Sequence, residues 1–347
     1  MTETRYLVKI EGAISEVNIS EYCQFSIVRY SKTTLKSTIG MIWMSVTDDN
    51  FLDRVAFEKL KKQIWEAVGI NCNGYRPEYL KRRLAIRLKA TDSKTYFDYE
   101  RYLKKNPKEA DMLLNDLTVN YSLFFRDPDV FQFLRQNLFP QMLSSFQNIR
   151  IWSAGCAAGE EPYSIAILAE EYRISCRKDF HYTIYASDVD RDALAKASKG
   201  QYDARSFEGT DKSLIGRYFI QENGSFKVKD SLKQCVRFEL HDLMTAPLHQ
   251  NLDLVLCRNV MIYFSRESQQ SIHMRFHDSL REGGYLVIGK TEMLSSELNK
   301  KFICVDPKTR MYRKTEETVG FKKPEATIVL DSHGTNLRNM TNKPLPT

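Results

Sequence analysis

The sequence predicts an α/β protein in which a doubly wound, parallel sheet follows a small all-α domain. Three observations support this fold class. Residues 51–115 carry only helical periodicity, whereas beyond residue 148 short apolar runs alternate with helical segments. Within residues 217–239, an Asn-Gly pair separates two apolar-leaning segments, which is typical of a β-hairpin inserted into the sheet domain.

The all-α domain is predicted from amphipathic spacing. Phe57, Leu60 and Ile64 recur at helical intervals in a helix over 51–68. A second helix, EYLKRRLAIRLKA, has an apolar leucine stripe and a dense basic face, and two shorter helices follow in TYFDYERYLKK and KEADMLLNDLT. We therefore assign residues 51–115 to this domain.

The sheet domain is assigned to residues 116–315. Its predicted strands are the apolar runs NIRIWSA, HYTIYASD, VRFEL, NLDLVLC and GGYLVIGK, most of them followed by a helical segment. Residues 1–50 lack sustained periodicity and stay unassigned, with disorder or an over-long start as the alternatives. Residues 316–347 carry few apolar side chains and are predicted to form a flexible tail.

Composition excludes several classes of protein. A formal charge of +7 over 347 residues is too small to indicate nucleic acid binding. The seven cysteines are scattered without a CxxC pair, which favours reduced thiols in an intracellular protein and gives no metal site. No apolar run reaches the roughly 18 residues of a membrane helix, and no signal peptide pattern is present. We expect a cytoplasmic protein with no direct membrane insertion.

The turn after the first strand, SAGCAAGEE, predicts a ligand site. Ligands of open α/β sheets bind beyond the carboxyl ends of the strands, and the small residues from Ala154 onward allow a close approach. Glu160 and Glu161 stand where a phosphate loop would keep the helix end free for an anion. Carboxylates there suit a cationic, hydroxyl-bearing ligand such as S-adenosylmethionine. The alternative is that they only cap the helix dipole.

Other strand ends also carry polar residues. Asp188 follows the second strand at a spacing that allows a bidentate contact with ribose hydroxyls, whereas Asp190 fits a helix cap better. Asp242 and Leu243 follow the third strand, where an adenine would lie. The fourth strand runs into two polar residues and an aromatic, Arg258, Asn259 and Tyr263, which resemble an active-site rim. For Tyr263 the pattern alone favours a core position.

The segment NYSLFFRDPDVF lies between the two domains and mixes polar and aromatic residues. Asn120, Ser122 and Arg126 surround the pair Phe124 and Phe125. Such a segment could fold over a bound ligand; the alternative is a linker helix with buried aromatics.

Four stretches together, SAGCAAGEEPYSIAI, YASDVD, LCRNVMIYF and NYSLFFRDPDVF, closely resemble the chemotaxis receptor methyltransferases, the CheR family. The resemblance covers about residues 51–315. It implies a Rossmann-like fold that transfers a methyl group from S-adenosylmethionine to receptor glutamates, leaving S-adenosylhomocysteine and a glutamyl methyl ester. It also implies docking on the cytoplasmic helices of a methyl-accepting receptor by a protein that we expect to be a monomer.

The resemblance also implies roles for individual residues. Arg126 and Tyr263 would flank the methyl group as catalytic residues. The cofactor would be bound by Asn120, Ser122, Arg126, Ala154, Glu160, Glu161, Asp188, Asp242, Leu243, Arg258 and Asn259, with the choice between the two glutamates left open. Arg82, Arg83 and Arg87 would dock on acidic receptor helices, unless they form only a solvated charged face.

This chain departs from the family pattern at a few positions. Ser122 replaces a threonine, Ala158 replaces a serine or threonine, and Lys290 replaces the histidine of a GHSE segment. The hairpin region looks shorter than in members that bind a receptor's C-terminal peptide. The first rival hypothesis is a methyltransferase for another substrate. The second is a regulatory protein that binds the cofactor without transfer, which the presence of both Arg126 and Tyr263 disfavours. The third is a nicotinamide-dependent oxidoreductase, which the turn's lack of a full GxGxxG disfavours.

Overall fold

The computed structural model describes residues 5–10, 13–18, 49–145, 148–177 and 180–315. The tail predicted for residues 316–347 lies outside the described residues. Within residues 1–50, which we left unassigned, β1 (Arg5–Ile10) pairs with β2 (Ala13–Asn18) in an antiparallel hairpin.

The all-α unit contains four helices, and the second and third have a local reason to begin where they do. Pro77 occupies the first turn of the second helix, where its missing N–H leaves no bond unmade. Thr95 and Asp98 form a reciprocal capping box at the third. The helices are α1 (Asp49–Val68), α2 (Pro77–Ala90), α3 (Tyr96–Lys105) and α4 (Lys108–Leu117). Their buried residues form a separate core around Leu60, Ile64 and Tyr99.

Residues 118–127 then cross to the sheet unit without helical structure. Next come α5 (Pro128–Phe133), a π-helical turn (Leu134–Leu138) and α6 (Phe139–Ser145). Pro140 explains the π turn, because proline lacks an N–H and its ring clashes with the carbonyl one turn earlier, which widens the helix.

The sheet unit confirms the predicted α/β class. The strands of its seven-stranded sheet are β3 (Asn148–Ala154), β4 (His181–Asp188), β8 (Val236–Leu240), β9 (Leu252–Cys257), β10 (Leu280–Ile288), β11 (Phe302–Asp306) and β12 (Met311–Lys314). Their order across the sheet is β11-β12-β10-β9-β3-β4-β8. The five strands predicted from the sequence pair in parallel, whereas β11 and β12 add an antiparallel edge.

Helices cover both faces of this sheet. They are α7 (Glu160–Cys176), α8 (Arg191–Lys199) and α11 (Arg266–Ser279). Side chains alternate between two cores, so that Ile151 of β3 packs into one and its neighbour Trp152 into the other. None of the helices in the described ranges is long and apolar enough to cross a membrane.

The predicted hairpin is present and belongs to a three-stranded insertion. β6 (Phe219–Glu222) and β7 (Ser225–Val228) pair around the turn at Asn223 and Gly224, both with positive φ. β5 (Gln201–Tyr202) pairs with the other side of β7. Two short helices, α9 (Lys212–Tyr218) and α10 (Asp230–Lys233), flank the hairpin.

Candidate functional site

A pocket opens at the carboxyl ends of β3, β4 and β9. The strand order reverses between β3 and β9, so this is the switch point at which open α/β sheets bind ligands. The pocket holds about 1100 Å³ of space, part of it open to solvent. Most of the residues predicted to form the site line it: Asn120, Ser122, Arg126, Glu161, Asp188, Asp242, Leu243, Arg258, Asn259 and Tyr263. Ala154 and Glu160 are not among the lining residues.

The turn from β3 to α7 presses its backbone against the pocket. Gly155, Ala157 and Gly159 all have positive φ, a conformation that favours glycine and that Ala157 adopts at a steric cost. The amides of Gly155 and Cys156 both donate to the Ser187 carbonyl, at 2.8 and 3.0 Å. Burial raises the pKa of the Cys156 thiol, and nearby carboxylates add to the shift. This cysteine therefore stays a neutral packing residue, not a nucleophile.

Arg258 forms a buried charge network at the end of β9. Its side chain is 2% exposed and contacts Asp127 at 2.5 Å and Glu161 at 3.2 Å. It also donates to the Arg126 carbonyl at 2.8 Å, which fixes the segment that carries that residue. Glu161 accepts a second hydrogen bond from Ser153 at 2.8 Å. The Glu161 carboxylate on this face of the pocket is thus held in place by Arg258 and Ser153.

Glu160 has a different environment from its neighbour. It is buried, and its Oε2 atom has no hydrogen-bond partner among the described residues. Burial raises the pKa of Glu160 to about 7, although a hydrogen bond with Ser122 opposes the shift. Of the two glutamates, Glu161 lines the pocket, whereas Glu160 does not and instead has a hydrogen bond with Ser122, which does.

Two aspartates at the end of β4, Asp188 and Asp190, have different roles. Asp188 lines the pocket, and its carboxylate accepts the amides of Ala157 at 2.8 Å and Asp190 at 3.0 Å. Burial raises the pKa of Asp188, and these hydrogen bonds partly offset the shift. The Val189 amide acts on the carboxylate as well, and a carboxylate has about four acceptor sites, so Asp188 can still accept a ligand hydroxyl.

Asp190 confirms the helix cap that the sequence favoured. It accepts the amides of Asp192 and Ala193 at the start of α8. Burial disfavours its charge, yet hydrogen bonds from Asn120, Thr118 and those amides hold the pKa of Asp190 below its ordinary value. Asn120 and Thr118 each lie 2.7 Å from its Oδ2. The segment over the pocket is therefore tied to the loop that follows β4. It forms no helix, so the alternative of a linker helix is wrong, although Phe124 is buried as that alternative expected.

Arg126 and Tyr263 both line the pocket. Arg126 donates to the Tyr121 carbonyl at 3.2 Å and lies over the Tyr121 ring, and it has no carboxylate partner within the described part of the chain. Burial raises the pKa of Tyr263, while Arg83 and Arg126 act in the opposite direction. Tyr263 is half-buried and lines the pocket, which differs from the core position that its pattern favoured.

Buried polar atoms mark what the pocket can bind. The Oδ1 of Asn259 and the Nδ1 of His241 are buried without a partner among the described residues, and both residues line the pocket. Such atoms are costly unless a ligand or water satisfies them. Together with the Asp188 and Glu161 carboxylates, they fit a ligand that has hydroxyls, amide-like groups and positive charge. S-adenosylmethionine meets this description.

Glu292 supports this corner of the pocket from behind. It is buried, its Oε2 accepts the Gly289 amide, and the amides of Asn259, Met261 and Ile262 act to lower its pKa against the dominant effect of burial. The carboxylate therefore braces the 3₁₀ turn Met261–Tyr263 that carries the pocket tyrosine.

The sequence did not reveal the contribution of the all-α unit. Tyr75 and Tyr79 line the pocket although they lie about 180 residues before the strand end they face. The Tyr79 ring packs 4.8 Å from that of Tyr263, and the Tyr75 ring 4.7 Å from that of Phe264. No local motif signals these contacts, because they depend on how the two units pack. His241 was also missed, although it adjoins Asp242.

The basic face of α2 needs one correction. Arg82 and Arg83 lie over the Tyr79 ring at 5.8 and 5.5 Å, near the mouth of the pocket. Arg87 instead is buried and forms ion pairs with Glu109 at 2.8 Å and Asp116 at 3.0 Å. Both acids lie on α4, which packs over this part of α2 and occupies the Arg87 charge, so the prediction that Arg87 docks on a partner is wrong.

Comparisons with known proteins agree with this architecture. The family model described as "CheR methyltransferase, SAM binding domain" matches residues 120–311, and "CheR methyltransferase, all-alpha domain" matches residues 56–118. A chemotaxis protein methyltransferase of Listeria innocua is 32% identical over 65% of this chain and 86% of its own length. One from Borreliella burgdorferi is 32% identical over 71% of this chain and 90% of its own length.

Proposed function

Because the chain belongs to the CheR methyltransferase family and uses S-adenosylmethionine, we propose that it methylates glutamate side chains of methyl-accepting chemotaxis receptors. The product would be a glutamyl γ-methyl ester. The observation that carries the proposal is the pairing of Arg126, which has no carboxylate partner among the described residues, with Tyr263 in the cofactor pocket. An arginine and a phenol are suited to bind an incoming carboxylate.

The chemistry makes modest demands on the protein. The sulfonium of the cofactor supplies a methyl group that is already electrophilic. The acceptor carboxylate is ionised near pH 7, so no side chain has to remove a proton. Arg126 would attract and orient that carboxylate, while the protonated Tyr263 hydroxyl would donate a hydrogen bond to the same group. Positioning and exclusion of water then provide most of the rate.

The cofactor roles follow from chemical complementarity. Asp188 would accept the ribose hydroxyls, and Asp242 with Leu243 would contact the adenine. Glu161, Asn120 and Ser122 would bind the amino acid end. Arg258 would act mainly by holding Glu161 and the Arg126 backbone, since its charge is already committed to Asp127 and Glu161. Ala154 and Glu160 would contribute by shaping the turn and supporting Ser122, not by direct contact.

The proposal divides the work between residues 51–115 as a docking unit and residues 116–315 as a catalytic unit. Arg82 and Arg83 would contact acidic receptor helices, which places the acceptor glutamate near the pocket mouth. Such helices are cytoplasmic, so the enzyme would act there, as a monomer. Reversal of both charges, Arg82→Glu with Arg83→Glu, should raise the KM for receptor at least tenfold and leave cofactor affinity unchanged. An unchanged KM for receptor would mean that these two arginines form only a solvated charged face.

The test of the reaction is transfer of labelled methyl from S-adenosylmethionine to a purified receptor cytoplasmic fragment, followed by mild base. We expect a label on the receptor that base releases as methanol, the signature of a carboxyl ester. Arg126→Lys and Tyr263→Phe should lower kcat by tenfold or more and keep measurable cofactor binding, whereas Tyr102→Phe on α3 is the matched control. A base-stable label, or none, would refute glutamate methylation and leave the cofactor assignment intact.

A further inference from the structure

We infer that Tyr75, from the all-α unit, is a cofactor-binding residue whose hydroxyl donates a hydrogen bond to the nucleoside end of S-adenosylmethionine. The docking unit would then form one wall of the cofactor site. The inference rests on the cofactor alone, so it would survive the failure of the receptor assignment.

Contacts between the two units fix the position of Tyr75. It forms an isolated antiparallel bridge with Phe264. Arg76 donates from its backbone to the Tyr263 carbonyl and from its side chain to the Phe264 carbonyl, both at 3.0 Å. On the other side, Ser265 donates to the Gly74 carbonyl at 2.9 Å. Residues on both sides of Tyr75 are thus anchored to the segment that follows β9, and its ring is held at the pocket wall.

The hydroxyl of Tyr75 is available to a ligand. It makes no hydrogen bond to any of the residues that the structure describes, although the side chain lines the pocket. The contrast is Tyr79, four residues later in the first turn of α2, whose hydroxyl donates to the Leu117 carbonyl at 2.6 Å. Tyr79 therefore has a structural bond, whereas Tyr75 has an unused donor that faces the pocket.

Electrostatics favours the nucleoside as the partner of this donor. Burial raises the pKa of Tyr75, and the charges of Asp242 and Asp188 raise it further, so the phenol is neutral and close to both acids. Those acids would repel a substrate carboxylate from this end of the pocket. A nucleoside instead has hydroxyls for the acids and ring nitrogens or ribose oxygens for the phenol.

The test is calorimetric binding of S-adenosylhomocysteine and of adenosine to the full chain carrying Tyr75→Phe. Loss of one neutral hydrogen bond should weaken both ligands about three- to tenfold. The unfolding temperature of the ligand-free protein should stay at the wild-type value, because the ring and its packing remain. Tyr102→Phe, an exposed tyrosine of the same unit, is the control and should leave both affinities unchanged.

Tyr75→Leu is the second variant, because it also removes the aromatic face, and it should weaken both ligands more than Tyr75→Phe. An affinity of Tyr75→Phe for S-adenosylhomocysteine within twofold of wild type would overturn the inference, whatever Tyr75→Leu does. Weaker binding of S-adenosylhomocysteine with unchanged binding of adenosine would also overturn it, since the contact would then lie away from the nucleoside.

Discussion

Arg87 shows how burial gives a charged residue a structural role. Its guanidinium donates from two nitrogens to both carboxylate oxygens of Glu109, at 2.9 and 2.8 Å, and from the third to Asp116. The Tyr99 hydroxyl adds a hydrogen bond of 2.8 Å to Glu109. Removing one partner of such a network leaves the others buried and uncompensated, which is far more destabilising than losing a solvated charge.

We therefore predict that Arg87→Ala lowers the free energy of unfolding by about 3 to 5 kcal/mol. The adjacent exposed variant Arg82→Ala should change it by less than about 1 kcal/mol. Urea unfolding followed by circular dichroism measures both. If the two variants were equally stable, Arg87 would be a surface charge and our assignment of it as a structural residue would be wrong.

His273 makes stability depend on pH. This α11 residue is buried, and neither ring nitrogen has a hydrogen-bond partner among the described residues. Burial lowers its pKa from 6.5 to about 4. The unfolded chain therefore takes up a proton as pH falls through 6.5, whereas the folded protein does so only near pH 4. Stability is complete above pH 6.5 and declines below it.

This residue should contribute about 3 kcal/mol of acid destabilisation by pH 4. We predict that His273→Leu flattens the dependence of unfolding free energy on pH between 6.5 and 4. His181→Gln, at an exposed site, should keep the wild-type slope. Denaturant unfolding at four or five pH values measures the effect, and an unchanged slope in His273→Leu would exclude His273 as its source.

At the scale of elements, the turn between β3 and α7 combines two constraints. Gly155 has φ of +77°, and a Cβ there would lie 2.5 Å from Cγ2 of Val260. Its residue type is thus set both by backbone conformation and by contact with the segment after β9. Gly69 has φ of +75° with nothing within 4 Å, so it carries the first constraint alone.

These two glycines allow strain and clash to be separated. Gly69→Ala should cost about 1 kcal/mol from left-handed strain. Gly155→Ala should cost more, roughly 2 to 4 kcal/mol, and weaken cofactor binding because Val260 lines the pocket. Adding Val260→Ala should restore part of the affinity and leave the strain. If Gly155→Ala and Gly69→Ala lower the free energy of unfolding by the same amount, Val260 moves away from the new methyl group at no energetic cost, and the clash does not contribute.

The same elements explain what the sequence could predict. β3, β4 and β9 are nearly continuous buried apolar runs separated by helical segments, so their order and the site at their ends followed directly. β11 and β12 were missed because both are short and β11 has mostly exposed residues, which weakens the apolar signal.

Long-range packing limited how much of the site could be predicted from the sequence. Asp188 and Arg126 could be predicted because each belongs to a local motif with chemical meaning. Tyr75 could not, because its role depends on a bridge to Phe264, and Arg87 was misassigned because its partner lies on another helix. Local sequence shows which side chains could bind a ligand. Burial and distant contacts decide whether such a side chain contacts a ligand or another part of the fold.

At the scale of the whole molecule, the two units share the cofactor pocket and should respond to ligand together. Thr118, which ends α4, and the nearby Asn120 bond to Asp190. The contacts at Tyr75 and at Thr118 are thus two separate seams that join the all-α unit to the sheet unit. A ligand that binds only the folded state slows opening of every segment that must be folded to form its site. If both units must be folded, both should be protected.

We predict that S-adenosylhomocysteine at 100 times its Kd slows amide exchange about 100-fold in the core of α1 as well as in β10, measured by mass spectrometry under conditions in which exchange reports opening free energy. α1 itself lies in the all-α core, so protection there must pass through the shared pocket and seams. α3, which carries the exposed Tyr102 and does not line the pocket, is a second reporter of exchange in the all-α unit. Protection of β10 with none in α1 or α3 would mean that the units unfold independently and that the all-α unit contributes little to cofactor binding.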